Sequence, residues 1–258
     1  KLFAQTAEHN QWMVASDRSG LSSYLDPKIY NNSILGVKAP LGYAKVKHCG
    51  RLDTTALIQA YKNCISAHLT TSSFEYSKLN ITPSYLTYGE IKAKHLVFCE
   101  GYAMINNPYF KDVPLVGSKG QILIIDAPEL KLETILKGPI FIAPLGGDKY
   151  WAGASFEQQD KSLNITAEGA KWIKDKIERM IDVPYTIEKQ ITHIRPTVKD
   201  RRPLLGTHKK YKNLHLFNGM GSRGVLTAPT AASWLFKHIN GQEALPKEVN
   251  INRFEKKD

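Results

Sequence analysis

Residues 214–229 read LHLFNGMGSRGVLTAP, which combines a short apolar run, a glycine-rich turn and the beginning of a segment with helical spacing. Within it, Gly219–Gly224 fits the pattern G-x-G-x-x-G, which binds the pyrophosphate of a dinucleotide when it joins a strand to a helix. Glycine at such a turn permits a positive φ and lets a ligand approach the main chain closely. The stretch therefore predicts a strand at Leu214–Phe217, a turn that faces a ligand, and a helix at Pro229–Ile239.

The residues after this turn do not complete a dinucleotide-binding unit. Such a unit needs a second parallel strand that ends in an acidic residue about 20 residues further on. The corresponding stretch, Asn240–Pro246, reads NGQEALP, which is turn-like and interrupted by proline. Only 34 residues follow Gly224. We therefore expect the turn to face a part of a ligand other than a pyrophosphate.

The overall composition is that of an ordinary globular protein. The chain has 258 residues, of which 42% are apolar and 23% charged, enough for one large domain or two modest ones. Lys and Arg (35) outnumber Asp and Glu (24), so the formal net charge is +11. The positive residues lie in short scattered groups, ending with Lys256 and Lys257. Solvated loops and a basic tail explain this charge better than a dedicated nucleic-acid site, although nucleic acid stays open as a partner.

Several classes of protein are disfavoured by what the sequence lacks. No apolar stretch is long enough to span a bilayer, and the first residues contain no secretory signal, so we expect a cytoplasmic protein without a membrane partner. The three cysteines, Cys49, Cys64 and Cys99, are odd in number and widely spaced, which favours reduced structural thiols. Cys99 follows an apolar run and is predicted to be a buried strand residue. No spacing typical of a metal site or of a serine hydrolase occurs.

Hydrophobic spacing predicts helices interleaved with strands, which indicates an α+β (mixed α/β) protein. Helices are expected at Asp53–Leu69 and Thr166–Ile181. Asp53 or Thr54 can cap the first of them, and Thr166 can cap the second. Turns are predicted at Tyr88–Gly89 and, as a hairpin loop, at Gly146–Asp148. The predicted strands before the last unit are Ser73–Tyr76, Ser84–Tyr88, His95–Cys99, Gly120–Asp126, Pro139–Pro144, Lys149–Phe156 and Thr186–Ile194.

Several motifs, in order along the chain, resemble one family. Arg195–Gly206 reads RPTVKDRRPLLG and, together with Asn218–Pro229, resembles the C-terminal signature of the D-amino-acid oxidase/glycine oxidase superfamily. Earlier stretches are similar to the family's other motifs, so the resemblance covers most of the chain from about Cys49 onward. These stretches are His48–Asp53 (HCGRLD), Val97–Tyr102 (VFCEGY), Pro114–Gln121 (PLVGSKGQ) and Trp151–Asp160 (WAGASFEQQD).

The resemblance implies a two-domain FAD-dependent flavoprotein. Residues 1–49 and 104–194 would form an antiparallel-sheet substrate domain, and residues 50–103 and 195–258 an incomplete FAD-binding domain. The family's amino-terminal strand and glycine motif, which hold the ADP half of FAD, have no counterpart in residues 1–35. We therefore expect this chain to be a fragment that lacks the first βαβ unit, binds FAD weakly or not at all, and is inactive by itself.

The resemblance also implies a set of cofactor-binding residues around the opening turn. Backbone N–H groups at the start of the last helix would stabilise the negative charge that reduction places on the flavin ring, aided by the helix dipole. Glu100 departs from the family's small residue at that position and would bring a carboxylate near the cofactor. The implied cofactor-binding residues are Gly101, Gly219, Gly221, Ser222, Arg223, Gly224, Val225, Leu226 and Thr227.

Arg195 stands at the family's position for the arginine that binds the substrate carboxylate. A planar guanidinium forms two parallel charge-assisted bonds to a carboxylate and so orients the substrate. The alternative is a strand-end arginine paired with Asp200 or Glu188. Phe141 replaces a tyrosine that contacts substrate in glycine-oxidase-like members, which weakens the case for glycine as substrate. The sequence identifies no catalytic residue.

Three functions stay open at this point. The first is an FAD-dependent oxidoreductase that oxidises the C–N bond of a small amino acid or secondary amine by hydride transfer to the flavin. The second is an FAD-dependent tRNA wobble-uridine-modifying oxidoreductase, because Gly221–Gly224 (GSRG) resembles the oxidase half of the methylaminomethyl-thiouridine tRNA-modifying enzymes and a net charge of +11 suits RNA. The third is a binding domain without catalysis. The oligomeric state is not predicted.

Overall fold

A computed structural model describes residues 1–255, so the predicted basic tail at Lys256 and Lys257 lies outside the described residues. Within the described residues the α-helices are Ala7–Ser16 (α1), Thr54–Cys64 (α2), Ala167–Ile177 (α3) and Gly224–Ile239 (α4). The strands are Leu25–Tyr30 (β1), Tyr43–Val46 (β2), Leu79–Ile81 (β3), Leu86–Tyr88 (β4), Ile91–Ala93 (β5), Leu96–Phe98 (β6), Ser118–Asp126 (β7), Leu136–Lys137 (β8), Phe141–Gly146 (β9), Lys149–Gly153 (β10), Thr186–Arg195 (β11), Leu204–Thr207 (β12) and Leu214–Asn218 (β13). Short 3₁₀ helices lie at Ser66–His68, Tyr76–Lys78, Gly101–Asn106 and Ile251–Phe254. The predicted α+β class is confirmed.

The chain divides into two compact units. The first comprises Lys1–Arg51 and Lys119–His193, and the second comprises Leu52–Ser118 and the described residues from Ile194 onward. These units differ from the domains expected from the sequence mainly in residues 104–118, which belong to the second unit. The labels of substrate domain and FAD-binding domain stay predictions.

The first unit is built on a five-stranded sheet with the order β11-β7-β10-β9-β8, in which β10 pairs antiparallel with both β7 and β9. The β9–β10 hairpin turns at Gly146 and Gly147, which both have positive φ, as predicted. Helix α3 begins where the Thr166 side chain accepts a 3.0 Å hydrogen bond from the Gly169 N–H. Its apolar stripe joins the sheet in one core, which includes Leu123, Ile125, Ile142, Tyr150, Ile173 and Ile177.

The second unit contains two three-stranded sheets. One has the order β12-β13-β6, with β13 antiparallel to β12 and parallel to β6. The other is the antiparallel meander β3-β4-β5, and Gly89 (φ +57°) forms the predicted turn between its last two strands. Helix α4 buries Ala231 and Leu235 against Leu205. Helix α2 is capped by Asp53, whose side chain accepts from the Ala56 N–H at 3.0 Å, and none of its residues is buried.

Three local predictions are wrong. Helix α4 begins at Gly224 rather than at Pro229, so Pro229 lies inside the helix. The φ of proline is helical, and the packing of Ala231 and Leu235 outweighs the main-chain hydrogen bond that Pro229 cannot donate. The expected strand Ser73–Tyr76 is absent, since a 3₁₀ helix begins at Tyr76. Cys99 is exposed rather than buried, because it follows buried Phe98 and adjacent residues of an extended chain point in opposite directions.

Among residues 1–255, no helix combines the length and the apolar composition that a membrane crossing requires.

Candidate functional site

The predicted site begins at the carboxyl ends of the neighbouring strands β6 and β13. The two strands are parallel, with Phe98 opposite Leu216, so their carboxyl ends point the same way. The chain continues from these ends through Gly101 (φ +57°) and Gly219 (φ +73°), two of the predicted cofactor residues. In open α/β sheets, ligands bind in the crevice outside the carboxyl ends of the strands. The structure therefore places these two glycines at an edge where a ligand is expected.

A buried asparagine holds these two glycines together. Asn218 is 2% exposed, and its Nδ2 donates to the Gly101 carbonyl oxygen at 2.8 Å. Its Oδ1 accepts from the Gly219 N–H, also at 2.8 Å. We did not identify Asn218 as a functional residue from the sequence. The signal that could have found it is a polar residue at the end of an apolar strand, directly before a glycine.

The two glycines have different surroundings. A Cβ on Gly219 would lie 2.8 Å from the Leu204 side chain and 2.9 Å from that of Val198, so this position is packed against the core. A Cβ on Gly101 would meet nothing within 4 Å among the described atoms. Packing and backbone conformation therefore both require glycine at position 219, whereas at position 101 only the backbone conformation does.

The turn that carries Gly221 is attached to the segment after Arg195. Gly221 has a φ of +56°, and its N–H donates to the Pro196 carbonyl oxygen at 3.0 Å. Arg223 closes the turn, because its N–H donates to the Met220 carbonyl and its Nη2 donates to the Arg201 carbonyl at 3.3 Å. The glycine turn and the Arg195 segment are thus neighbours in the second unit.

Helix α4 presents free donors at its start. The N–H groups of Leu226 and Thr227 both donate to the Arg223 carbonyl at 3.0 Å. The N–H groups of Gly224 and Val225 form no hydrogen bond with any part of the chain that the structure describes. Free N–H groups at the positive end of a helix suit an anionic or electron-rich oxygen. Because α4 begins at Gly224, Val225–Thr227 lie in its first turn rather than in the preceding loop.

These features fit the part of FAD that the resemblance assigns to them. A flavin offers carbonyl oxygens that gain negative charge on reduction, and the donor set here consists of backbone N–H groups. The glycines with positive φ carry no side chain that would block a planar ring. Ser222, on the glycine turn, and Leu226, in the first turn of α4, are both exposed. The residues present therefore fit the flavin end of the cofactor.

Arg195 is the last residue of β11 and is half-buried. Burial lowers its pKa, but an arginine side chain stays protonated in proteins. The two carboxylates considered as its partners have other cations beside them. Asp200 pairs with Arg253 at 2.8 Å, and Glu188 pairs with Lys149 at 2.6 Å.

Glu100 is held by two neighbours. Its Oε1 accepts from the Tyr76 hydroxyl and its Oε2 accepts from Asn107 Nδ2 at 2.7 Å. Burial and then the hydrogen bond to Glu100 raise the pKa of Tyr76 to about 12. The carboxylate thus joins the 3₁₀ segments at Tyr76 and at Gly101–Asn106, which is a structural role. Phe141, the other departure from the family pattern, lies on β9 in the first unit and is 42% exposed.

Within the same described range, no group of three or more histidine, cysteine, aspartate or glutamate side chains is arranged to hold a metal ion.

Comparison with known proteins gives the family. The chain is 25% identical over 154 residues to the tRNA 5-methylaminomethyl-2-thiouridine biosynthesis bifunctional protein MnmC of Idiomarina loihiensis, covering 55% of this chain and 25% of that relative. The chain thus spans about a quarter of the length of this curated relative.

Two solved structures share the fold. Glycine oxidase from Geobacillus kaustophilus has a TM-score of 0.61 at 20% identity, over 79% of this chain and 56% of that one. Fructosamine oxidase (Amadoriase II) from Aspergillus fumigatus has a TM-score of 0.68 at 13% identity, over 97% and 69%. The model of the family described as FAD dependent oxidoreductase (DAO) matches residues 46–237, which is most of the chain. This protein therefore belongs to the DAO family of FAD-dependent oxidoreductases.

Proposed function

We propose that the chain carries the flavin-facing and substrate-facing residues of an oxidoreductase that oxidises the C–N bond of a small amino acid or secondary amine. The proposal depends on one observation: the chain leaves the carboxyl end of β13, which is parallel to β6, through the glycine turn and enters α4, whose first N–H groups are free. FAD supplies the acceptor for the hydride when it is bound. The protein binds and orients the cofactor and the substrate, and it stabilises the charge that develops on the flavin.

Helix α4 and the three glycines with positive φ would hold the flavin. The N–H groups of Gly224 and Val225 would donate to the oxygen edge that becomes negative on reduction, with the helix dipole adding to their effect. Gly101, Gly219 and Gly221 would let the ring approach the main chain. The other predicted contacts come from the same turn and helix: Ser222, Arg223, Leu226 and Thr227.

Arg195 would bind the substrate carboxylate. Its fork of N–H donors matches the two oxygens of a carboxylate, and two parallel bonds fix the orientation of the neighbouring carbon. Phe141 stands where glycine-oxidase-like members of the family carry a substrate-contacting tyrosine, and this difference from the family favours an amine or amino acid other than glycine.

The test uses the complete gene product. A yellow protein whose flavin absorbance bleaches anaerobically on addition of small amino acids or secondary amines supports the proposal, and a panel of such compounds identifies the substrate. A product that purifies colourless and cannot be loaded with FAD would sink it. The same titration on residues 1–258 alone checks the expectation that this stretch binds FAD weakly and is inactive by itself.

The second candidate is FAD-dependent modification of a tRNA wobble uridine. The likeness to the tRNA 5-methylaminomethyl-2-thiouridine biosynthesis protein and the net charge of +11 favour it. Binding to tRNA that weakens steeply with salt, without bleaching by small amines, would support this candidate over the first. The third candidate, a binding domain without catalysis, requires that neither bleaching nor turnover of a tRNA substrate is observed.

A further inference from the structure

Asn218 joins two loops that are far apart in the sequence. Of its two hydrogen-bond partners, Gly219 is the next residue in the chain and Gly101 lies 117 positions earlier. An amide group buried without partners is costly, so a buried asparagine is tolerated where both its ends are bonded. Here the carbonyl end faces an N–H and the amino end faces a C=O. Among side chains of this size only an amide matches both, because an ionised aspartate cannot donate.

The two loops are not equally restrained without this side chain. Gly219 is enclosed by Leu204 and Val198, which belong to the core of the second unit. A Cβ on Gly101 would meet no described atom within 4 Å, so no neighbour packs against that position. Loss of the amide would therefore leave Gly219 in place and release the Gly101 carbonyl. Because Glu100 keeps its own hydrogen bonds, the change would be confined to the start of the Gly101 loop.

We propose that Asn218 is a positioning residue that sets the spacing between the Gly101 loop and the Gly219 loop, and thereby the width of the flavin-binding edge. This inference rests on the proposed function, because it takes these two loops to face the cofactor. The residue touches neither substrate nor reacting atoms in this role. It acts through the backbone of the two glycines.

Asn213 provides a matched control. It lies directly before β13, whereas Asn218 is the last residue of that strand. Asn213 is also buried (5% exposed) and also binds a distant loop, since its Nδ2 donates to the Thr82 carbonyl oxygen at 2.9 Å. Removing either amide costs a buried hydrogen bond, but only Asn218 lies at the edge that is predicted to face the flavin.

The experiment compares FAD affinity in the complete gene product. The wild type, Asn218→Ala and Asn213→Ala are stripped of flavin and titrated with FAD, and the thermal midpoint of each apoprotein is measured in parallel. We expect both variants to lose thermal stability, and Asn218→Ala somewhat more because it loses two hydrogen bonds and Asn213→Ala one. We expect the FAD Kd to rise about tenfold or more only in Asn218→Ala, the effect of one lost buried hydrogen bond on binding. Equal Kd values in the two variants would overturn the role of Asn218 while leaving the proposed function intact. A wild type that cannot bind FAD would overturn the proposed function, and this inference with it.

A second variant separates spacing from general damage. Asn218→Asp keeps the acceptor for the Gly219 N–H, and only its protonated form can donate to the Gly101 carbonyl. Burial raises the pKa of a carboxyl group, so the protonated form becomes populated in mildly acidic solution. We expect the FAD Kd of Asn218→Asp, relative to the wild type at the same pH, to improve as the pH falls. A ratio that stays constant across pH, or one that worsens on acidification, would contradict the proposed pair of hydrogen bonds.

Discussion

His95 Nδ1 and His215 Nε2 lie 3.0 Å apart, and the other nitrogen of His215 lies 2.9 Å from the Thr207 hydroxyl. The same hydroxyl contacts His238 Nε2 at 3.1 Å. His95 thus contacts His215 directly, and Thr207 links His215 to His238. The cluster lies at the end of the β12-β13-β6 sheet that is opposite to the end carrying Asn218. His215 is 2% exposed, and burial, followed by the charges of His95 and His238, lowers its pKa to about 4.

This cluster predicts a loss of stability in mild acid. In the unfolded chain His215 titrates near its ordinary value of 6.5, so below that pH the unfolded state binds a proton that the folded state does not. The contribution of neutral His215 to the free energy of unfolding is therefore fully present above about pH 6.5. It is lost between about pH 6.5 and 4 and amounts to roughly 3 kcal/mol. Urea unfolding at several pH values measures this slope. His215→Leu should flatten it, whereas the same change at exposed His68 should not; equal slopes in the wild type and His215→Leu would contradict the assignment.

An ion pair between a buried lysine and a partly exposed aspartate predicts different effects for a single and a double substitution in the first unit. The Lys119 side chain is fully buried, and its Nζ contacts Asp160, whose pKa this contact lowers to about 2. Asp160→Asn leaves the buried Lys119 cation without its anion and should lower the free energy of unfolding clearly. Lys119→Met combined with Asp160→Asn should recover much of that loss. The exposed pair Lys171–Asp175 is the control, because Asp175→Asn should change stability by less than about 0.5 kcal/mol.

Gly219 and Gly101, the two glycines proposed to face the flavin, predict different responses to alanine. Gly219→Ala places a Cβ less than 3 Å from Leu204 and Val198 and also strains a positive φ, so it should destabilise the protein by about 3 kcal/mol or more. Gly101→Ala meets only the conformational penalty of about 1 to 2 kcal/mol. Denaturant midpoints of the two variants test the order. The reverse ranking would show that Gly101 is the more closely packed of the two.

The sequence was most informative where structure is decided locally. Thr166 is a helix cap as predicted, and of the two candidates Asp53 and Thr54 the structure shows Asp53 as the other cap. A cap depends only on a side chain and the N–H groups a few residues later. The start of α4 was misplaced because proline favours the first turn of a helix, whereas Pro229 lies inside this one and is kept there by the packing of α4 against Leu205.

The long-range part of the site could not be predicted in the same way. The parallel pairing of β6 with β13 and the bond from Asn218 to Gly101 join distant parts of the chain, and neither leaves a pattern in the local sequence. The family resemblance compensated in part, since it named both glycines without showing what links them. The role of each cofactor residue stays a prediction.

Arg195 predicts a separation of substrate binding from folding. Arg195→Lys keeps a positive charge but loses the planar fork, so the bidentate grip on a carboxylate is lost. In the complete gene product we expect the KM for an amino-acid substrate to rise about tenfold or more, with little change in the thermal midpoint. Arg202→Lys, an exposed position on the segment that follows, is the matched control and should leave both quantities unchanged. A substrate without a carboxylate should be oxidised equally well by Arg195→Lys and the wild type. An unchanged KM for the amino acid in Arg195→Lys would count against the proposed role and favour the structural alternative.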